Sequence, residues 1–216
     1  SYFMINYQDF FNFDYLFDSK LSIKISYGNK LLSRINIAQK IGYNKDSIAI
    51  PHQTHSSNVL FIDSSGEFEN CDGLITKNQN VILSAQTADC IPIFLYDAST
   101  GLRGLVHAGW RGIVNGIIAN ALTIMFKNDS SAKNIQIFMG PSICKKCFEV
   151  GPEVAAQFDH SCLIKTEHNK YFIDLYKQVK LQLFESEIKK NNIYFSNICT
   201  YETYECESYR RDGKNA

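Results

Sequence analysis

Two apolar runs, Ile91 to Tyr96 and Leu102 to His107, joined by Asp97-Ala98-Ser99-Thr100-Gly101, constrain the fold of this chain more than any other feature. Their length and the turn chemistry between them predict a β-hairpin. Thr87-Ala88-Asp89-Cys90 precedes the first run, and His107-Ala108-Gly109-Trp110-Arg111-Gly112 closes the second. A helix should follow, because Ile117, Ile118, Ala121, Leu122 and Met125 repeat with helical spacing from Ile113 onward, over about four turns. A thiol, an imidazole, the only tryptophan and a guanidinium therefore meet where two strands end and a helix begins.

Other segments extend the pattern. Leu21, Ile23 and Ile25 alternate as in a half-buried strand ended by a Tyr27-Gly28-Asn29 turn, and Leu31, Leu32, Ile35, Ala38 and Ile41 form a helical stripe up to Gly42. Ser47 to Ile50, Val81 to Ser84, Ile135 to Met139 and Ile193 to Tyr201 read as strands. Pro152 suits a first helical position in a helix to Phe158, and Asp174 can cap a helix running to Asn191-Asn192. Strands and helices interleave without a strict βαβ rhythm. The expectation is an α/β (α+β layered sandwich) fold with mixed β-sheets flanked by helices, in one domain over residues 1–216. Met4 reads as the natural start, with Ser1-Tyr2-Phe3 a remnant, and the end at Ala216, straight after Tyr209-Arg210-Arg211-Asp212-Gly213, as a truncated or disordered tail.

Composition narrows the partners. Lysine plus arginine and aspartate plus glutamate number 22 each, so no net field favours nucleic acid or an anionic membrane. No apolar run approaches the roughly 20 residues that span a bilayer, and no basic-then-apolar leader opens the chain, so the expected location is cytoplasmic. Seven cysteines without such a leader suggest reduced thiols.

His55, in Pro51-His52-Gln53-Thr54-His55-Ser56, joins Cys90 and His107 as a third metal-ligating residue at a strand end. Two imidazoles and a thiolate suit Zn²⁺ with a fourth position open to water or substrate, the pattern of a catalytic site. Zinc lowers the pKa of bound water to about 7. Spacing alone is also met by three unrelated structural residues, since sequence-distant ligands have no diagnostic interval.

His107-Ala108-Gly109-Trp110-Arg111-Gly112, Thr87-Ala88-Asp89-Cys90-Ile91-Pro92, Asp72-Gly73-Leu74-Ile75-Thr76, Gln53-Thr54-His55, and Gly140-Pro141-Ser142-Ile143 with Phe148-Glu149-Val150-Gly151 stand in a fixed order. Together they resemble the family variously called multicopper polyphenol oxidase or laccase-like, purine nucleoside phosphorylase, and peptidoglycan editing factor. Cys199-Thr200 and Tyr209-Arg210-Arg211 extend the resemblance toward the C-terminus. By position, the resemblance implies zinc ligands at His55, Cys90 and His107, and a fold similar to that of the cytotoxic necrotizing factor deamidases. The family's N-terminal Gly-Gly-Val-Ser turn and Gly-Pro-Tyr stretch are replaced here by Ser26-Tyr27-Gly28-Asn29-Lys30, so substrate contacts from that segment are not carried over.

The implied activity is zinc-dependent purine nucleoside phosphorolysis, on adenosine, inosine, guanosine or methylthioadenosine, with adenosine deamination at the same site. Nucleoside and phosphate would be the partners. Catalytic roles are expected at Cys90, His107, Arg111 and Asp89, and substrate or phosphate contacts at Gly109, Trp110, Arg111, Tyr209 and Arg210. Arg111 and the backbone N–H groups at the helix start are the candidate anion anchor, and a pairing of Arg111 with a carboxylate of the fold is the competing reading. Asp89 is read either as a proton-handling neighbour of Cys90 or as a turn carboxylate, with its side chain opposite Cys90 on an extended strand. His52 is read as a surface or orienting histidine, and Trp110 as core packing before a stacking platform. Cys144-Lys145-Lys146-Cys147 has no second Cys-x-x-Cys and reads as a loop thiol pair. Tyr209, Arg210 and Arg211 either close over the site or form a solvated basic end.

Four alternatives stay open. Release of L-serine from a cell-wall precursor would use the same metal, and a metal-free Cys90–His107 pair could act as nucleophile and base. Copper can occupy a zinc-type site, but one His-Cys-His set does not furnish the several centres of a multicopper oxidase. A metal-dependent scaffold would need four protein ligands.

Overall fold

A computed structural model describes residues 5–7, 10–12, 25–28 and 33–213. Its centre is the expected hairpin, β9 (Ile91–Asp97) and β10 (Leu102–Ala108), paired antiparallel from Leu102–Asp97 to Ala108–Ile91. β9 is apolar on both faces because both are covered, while β10 turns one face to the main core. Ile91, Ile93 and Leu95 lie in the main core with Leu102, Val106 and Ala108, whereas Phe94 and Tyr96 pack on the opposite side with Phe138, Ile25 and Tyr27. The period-two alternation of strand side chains thus sorts one hairpin between two cores.

Around the hairpin a six-stranded mixed sheet runs in the order β15-β11-β9-β10-β7-β5, adding β5 (Val59–Ile62), β7 (Gly73–Thr76), β11 (Gln136–Met139) and β15 (Ile193–Phe195). The pairs β5–β7 and β11–β15 are parallel and the rest antiparallel. Three small sheets complete the layers. β1 (Ile5–Tyr7), β2 (Phe10–Asn12) and β3 (Ser26–Gly28) form one, and β6 (Gly66–Phe68), β4 (Ile48–Pro51) and β8 (Ile82–Leu83), in that order, form another. The third is β12 (Glu149–Val150), β14 (Tyr171–Ile173) and β13 (Leu163–Lys165). Mixed sheets flanked by helices match the expected layered class.

Among the described residues six α-helices flank the sheets: α1 (Arg34–Lys40), α2 (Trp110–Val114), α3 (Ile117–Lys127), α4 (Pro152–Ala155), α5 (Leu175–Glu185) and α6 (Tyr209–Asp212). α3 and α5 cover the main core face. Ile117, Ile118, Ala121, Leu122 and Met125 of α3 and Leu175, Val179 and Leu183 of α5 are buried there, the amphipathic stripes read in the sequence. Asp174 caps α5 by accepting the Lys177 N–H at 2.9 Å, and Pro152 stands at the first position of α4.

Several boundaries differ from expectation. The helix from Ile113 is broken: α2 stops at Val114, and Gly116 enters α3 at φ 85°, a left-handed backbone that glycine adopts without steric cost. α5 ends at Glu185, not at Asn191-Asn192, because Glu187 turns left-handed (φ 63°) and sends Ile188 back into the core. The late strand stops at Phe195, with Asn197 left-handed (φ 58°), and does not reach Tyr201. Tyr27 and Gly28 belong to β3 and not to a turn. Leu21, Ile23, Asn29, Leu31 and Leu32 lie outside the described residues. Among the described residues no helix is long and apolar enough to cross a membrane.

Leu122 is 1% exposed in the contact between α3 and the sheet. Leu122→Ala should cost about 2–5 kcal/mol through lost burial and a residual cavity. Denaturant titration should show a lower midpoint with an unchanged slope.

Candidate functional site

Three loops bring His55, Cys90 and His107 together: the turn after β4, the turn before β9 and the end of β10. One ligand atom from each lies within 4.8 Å of the others, and the two imidazoles meet edge to face with centroids 4.9 Å apart. The three residues singled out from the sequence therefore form one cluster.

Asp72, just before β7, holds two of the three loops. Its side chain is fully buried and accepts hydrogen bonds from the backbone N–H groups of Thr54 (3.1 Å), His55 (3.0 Å) and Ser56 (2.7 Å), and from the Ser56 hydroxyl (2.7 Å). His107 Nδ1 donates to the same carboxylate at 2.8 Å, and the Asp72 carbonyl accepts the His107 N–H at 2.6 Å. Burial opposes ionisation, but the bonds from His107, Ser56 and Thr54 outweigh it and hold the carboxyl well below the usual carboxylate range. With Nδ1 committed to a carboxylate, His107 presents Nε2 to the cluster. Sequence reasoning quoted the block around Asp72 without giving the residue a role. Its signal was an aspartate at the head of the apolar run Leu74-Ile75, where a carboxylate is buried only when well paired.

Local backbone shapes the cluster. His55 is left-handed (φ 58°), an uncommon state for a residue with a side chain, and the Asp72 bonds to residues 54–56 fix it. Gly109 is required by space: a Cβ there would stand 2.9 Å from His55 Cδ2 and 3.1 Å from Cys90 Sγ. A Cβ on Gly112 would meet the Ser56 carbonyl oxygen at 2.9 Å, so α2 rests directly on the His55 loop.

The ionisation states follow from burial and charge. Burial and then the neighbouring His107 lower the His55 pKa, against the pull of Asp72, and so favour the neutral ring. Burial pushes the Cys90 thiol up to about 12, the Asp89 and Asp72 charges add to that, and Arg111 opposes it. A neutral imidazole is a ready ligand, while the thiol needs a nearby cation to ionise. The donor set, the spacing of its atoms and the space left by Gly109 fit a borderline-soft metal ion such as zinc, with copper also suited to these ligands.

A cavity of about 860 Å³ opens beside the cluster. His55, His107 and Arg111 line it together with Phe94, Phe148 and Tyr209. The Arg111 guanidinium stacks 4.4 Å over the Trp110 ring, and no carboxylate among the described residues pairs with it. Trp110 packs against the main core, as expected. Since α2 has only five residues, its dipole is small, and any anion attraction at this rim comes mainly from Arg111.

Asp89 stands in a bend before β9, the turn position that is one of its two readings, and not on an extended strand. It is left-handed (φ 83°), β9 begins only at Ile91, and its carboxylate accepts from the Thr200 hydroxyl and the Arg210 N–H, both at 2.7 Å. That geometry is a tether to the C-terminal segment. Tyr209 and Arg210 reach the cavity wall, where Arg210 donates to the Glu149 carbonyl at 2.8 Å. Arg211 turns away and donates to the carbonyls of Thr200, Thr203 and Cys206. His52 lies on the surface, bonded to Glu67 at 2.8 Å.

The family model described as multi-copper polyphenol oxidoreductase laccase matches residues 31–216. Adenosine deaminase RL5, from an unknown prokaryotic organism, is 36% identical over 155 residues, covering 67% of this chain and 56% of its own length. A purine nucleoside phosphorylase of Aquifex aeolicus is 35% identical over 193 residues, covering 89% of this chain and 87% of its own. The fold is similar to that of the Neisseria meningitidis protein NMB0706, with TM-score 0.80, 21% identity and coverage of 95% and 94% of the two chains.

Asp72→Asn would turn amide hydrogens toward groups that are themselves donors. It should destabilise the chain by about 3 kcal/mol and weaken metal binding by roughly 10–100-fold, measured by denaturant titration and competitive chelation. Gly109→Ala should weaken metal binding at the His55–Cys90–His107 cluster while leaving the far-ultraviolet circular dichroism unchanged.

Proposed function

The chain belongs to the multi-copper polyphenol oxidoreductase laccase family, and on that premise we propose that it is a zinc-dependent purine nucleoside phosphorylase with adenosine deaminase activity. The observation that carries this reading is a single cavity lined by both imidazoles of the His55–Cys90–His107 cluster and by Arg111. Relatives carrying the names purine nucleoside phosphorylase and adenosine deaminase support it.

The cavity lies within the roughly 300–1,000 Å³ of small-ligand pockets. Phe94, Phe148 and Tyr209 supply apolar and aromatic wall against which a purine can lie. Arg111, stacked on Trp110 and free of a carboxylate among the described residues, is the group to receive phosphate, and charge-assisted bonds from a guanidinium orient such an anion. In phosphorolysis a phosphate oxygen bonds to the ribose C1′ while the bond from C1′ to the base nitrogen breaks, and the base leaves with the electron pair and takes up a proton. In deamination water adds at C6 of adenine and ammonia leaves.

His55, Cys90 and His107 would hold zinc, which supplies Lewis acidity. Asp72 keeps His107 in the tautomer that a ligand needs, and Gly109 leaves the ligands unhindered. A metal-free Cys90–His107 nucleophile is the weaker reading, because without a cation the thiol is held far above neutral pH. Phenol oxidation at several copper centres has less support: only two of the five histidines come together, and His52 is engaged with Glu67.

The test is product analysis after incubating zinc-loaded protein with adenosine and inosine, with and without phosphate. Free adenine and hypoxanthine are expected only with phosphate, and conversion of adenosine to inosine without it. No product from either nucleoside would overturn the reading. Cys90→Ala should lose the metal of this cluster and both activities. Arg111→Ala should raise the KM for phosphate by about tenfold or more, the loss of a charge-assisted bond, and leave deamination largely intact.

A further inference from the structure

A second set of ligand-type side chains lies outside the cavity. Cys144-Lys145-Lys146-Cys147 and Cys199-Thr200-Tyr201-Glu202 share one spacing, two residues between ligand-type side chains. The fold corrects the reading of Cys144 and Cys147 as a plain loop thiol pair, because Cys199 and Glu202 complete a group of four. One ligand atom from each lies within 4.8 Å of the others. We infer that Cys144, Cys147, Cys199 and Glu202 form a structural binding site for one divalent cation of zinc's chemical class.

The distances fit tetrahedral coordination before any ion is placed. With metal–sulfur bonds of about 2.3 Å and a metal–oxygen bond of about 2.1 Å, a tetrahedron has a sulfur–sulfur edge of about 3.8 Å and a sulfur–oxygen edge of about 3.6 Å. Cys144 Sγ and Cys147 Sγ are 3.6 Å apart, and Cys147 Sγ and Glu202 Oε1 are also 3.6 Å apart. The Cys144 N–H points at Cys199 Sγ at 3.3 Å, the kind of donor that supports a metal-bound thiolate. Four protein ligands close the coordination shell, which separates this site from the three-ligand cluster in the cavity.

Its position gives it work to do. The loop after β11 and the C-terminal segment meet here through the Ser142–Cys199 bridge and the Thr200 N–H to Ser142 carbonyl bond of 3.1 Å. Arg211 donates to the carbonyls of Thr200 and Tyr201, and Arg210 to that of Cys147 at 3.4 Å. Arg210 thereby sets a positive charge beside a donor set that keeps net negative charge when a dication is bound, while the charge of Arg211 is paired with Asp212 at 2.6 Å. Thr200 and Arg210 also hold Asp89, next to Cys90. A cation at this site would fasten the segment that walls the cavity.

Elemental analysis of the purified full chain, equilibrated with zinc under reducing conditions, should give two equivalents per chain. Cys147→Ser and Cys90→Ser should each retain one. In the Cys90→Ser chain, cobalt should give a thiolate charge-transfer absorption that the Cys90→Ser/Cys147→Ser chain lacks. A wild-type measurement guards against variants that fail to fold: zinc should protect Cys144, Cys147 and Cys199 from alkylation, read by peptide mass spectrometry, and chelator should remove the protection. Metal content unchanged by Cys147→Ser, labelling indifferent to zinc, or a Cys144–Cys147 disulfide in place of bound zinc would overturn the inference. None of these readouts involves a nucleoside, so they stand apart from the test of the proposed reaction.

Discussion

The Asp72 carboxylate is the interaction on which the cavity depends. A fully buried negative charge is tolerated only where donors surround it, and here the donors come from two separate parts of the chain. Backbone N–H groups of the loop after β4 converge on one side, and the ring of His107 at the end of β10 on the other. The same oxygens that solvate the charge thus set the distance between two ligand-type imidazoles. Structural and chemical roles are not separable at this residue.

Much of the arrangement was legible in the residues themselves. The central hairpin showed because apolar runs flank a turn-forming stretch, and α3 and α5 showed because their buried residues keep helical spacing. His55, Cys90 and His107 were legible through chemistry, since few residue types bind zinc and each stands at a strand end. Other features depend on contacts that no local pattern carries. Asp89 was open to two readings, a proton-handling neighbour of Cys90 or a turn carboxylate, and its partners Thr200 and Arg210 lie 111 and 121 residues away, beyond any local pattern. Cys144 and Cys147 looked isolated because their companions stand 55 residues downstream. The break at Gly116 escaped a reading by periodicity because the apolar stripe continues across it.

Small residues at the cavity rim carry as much information as the reactive ones. Gly109 and Gly112 have ordinary helical or extended backbones, so space and not conformational freedom explains them. One leaves room for His55 and Cys90, and the other lets α2 settle on the loop that holds His55. Loop, helix and strand end can then approach within ligand distance, which no larger side chain at these positions would permit.

The tether between Asp89 and Arg210 has a consequence for the order in which the molecule is made. On the ribosome, Cys90 and His107 emerge while the backbone that will satisfy Asp89 is still about a hundred residues from synthesis. Before then, Asp89 lacks the Thr200 hydroxyl and the Arg210 N–H that offset the burial of its carboxylate. The hairpin and α3 draw on contacts close in sequence, whereas the turn bearing Asp89 and Cys90 gains these partners only with the C-terminal segment. The final geometry of the His55–Cys90–His107 cluster thus draws on a contact with the last helix, more than a hundred residues beyond the turn that carries Cys90.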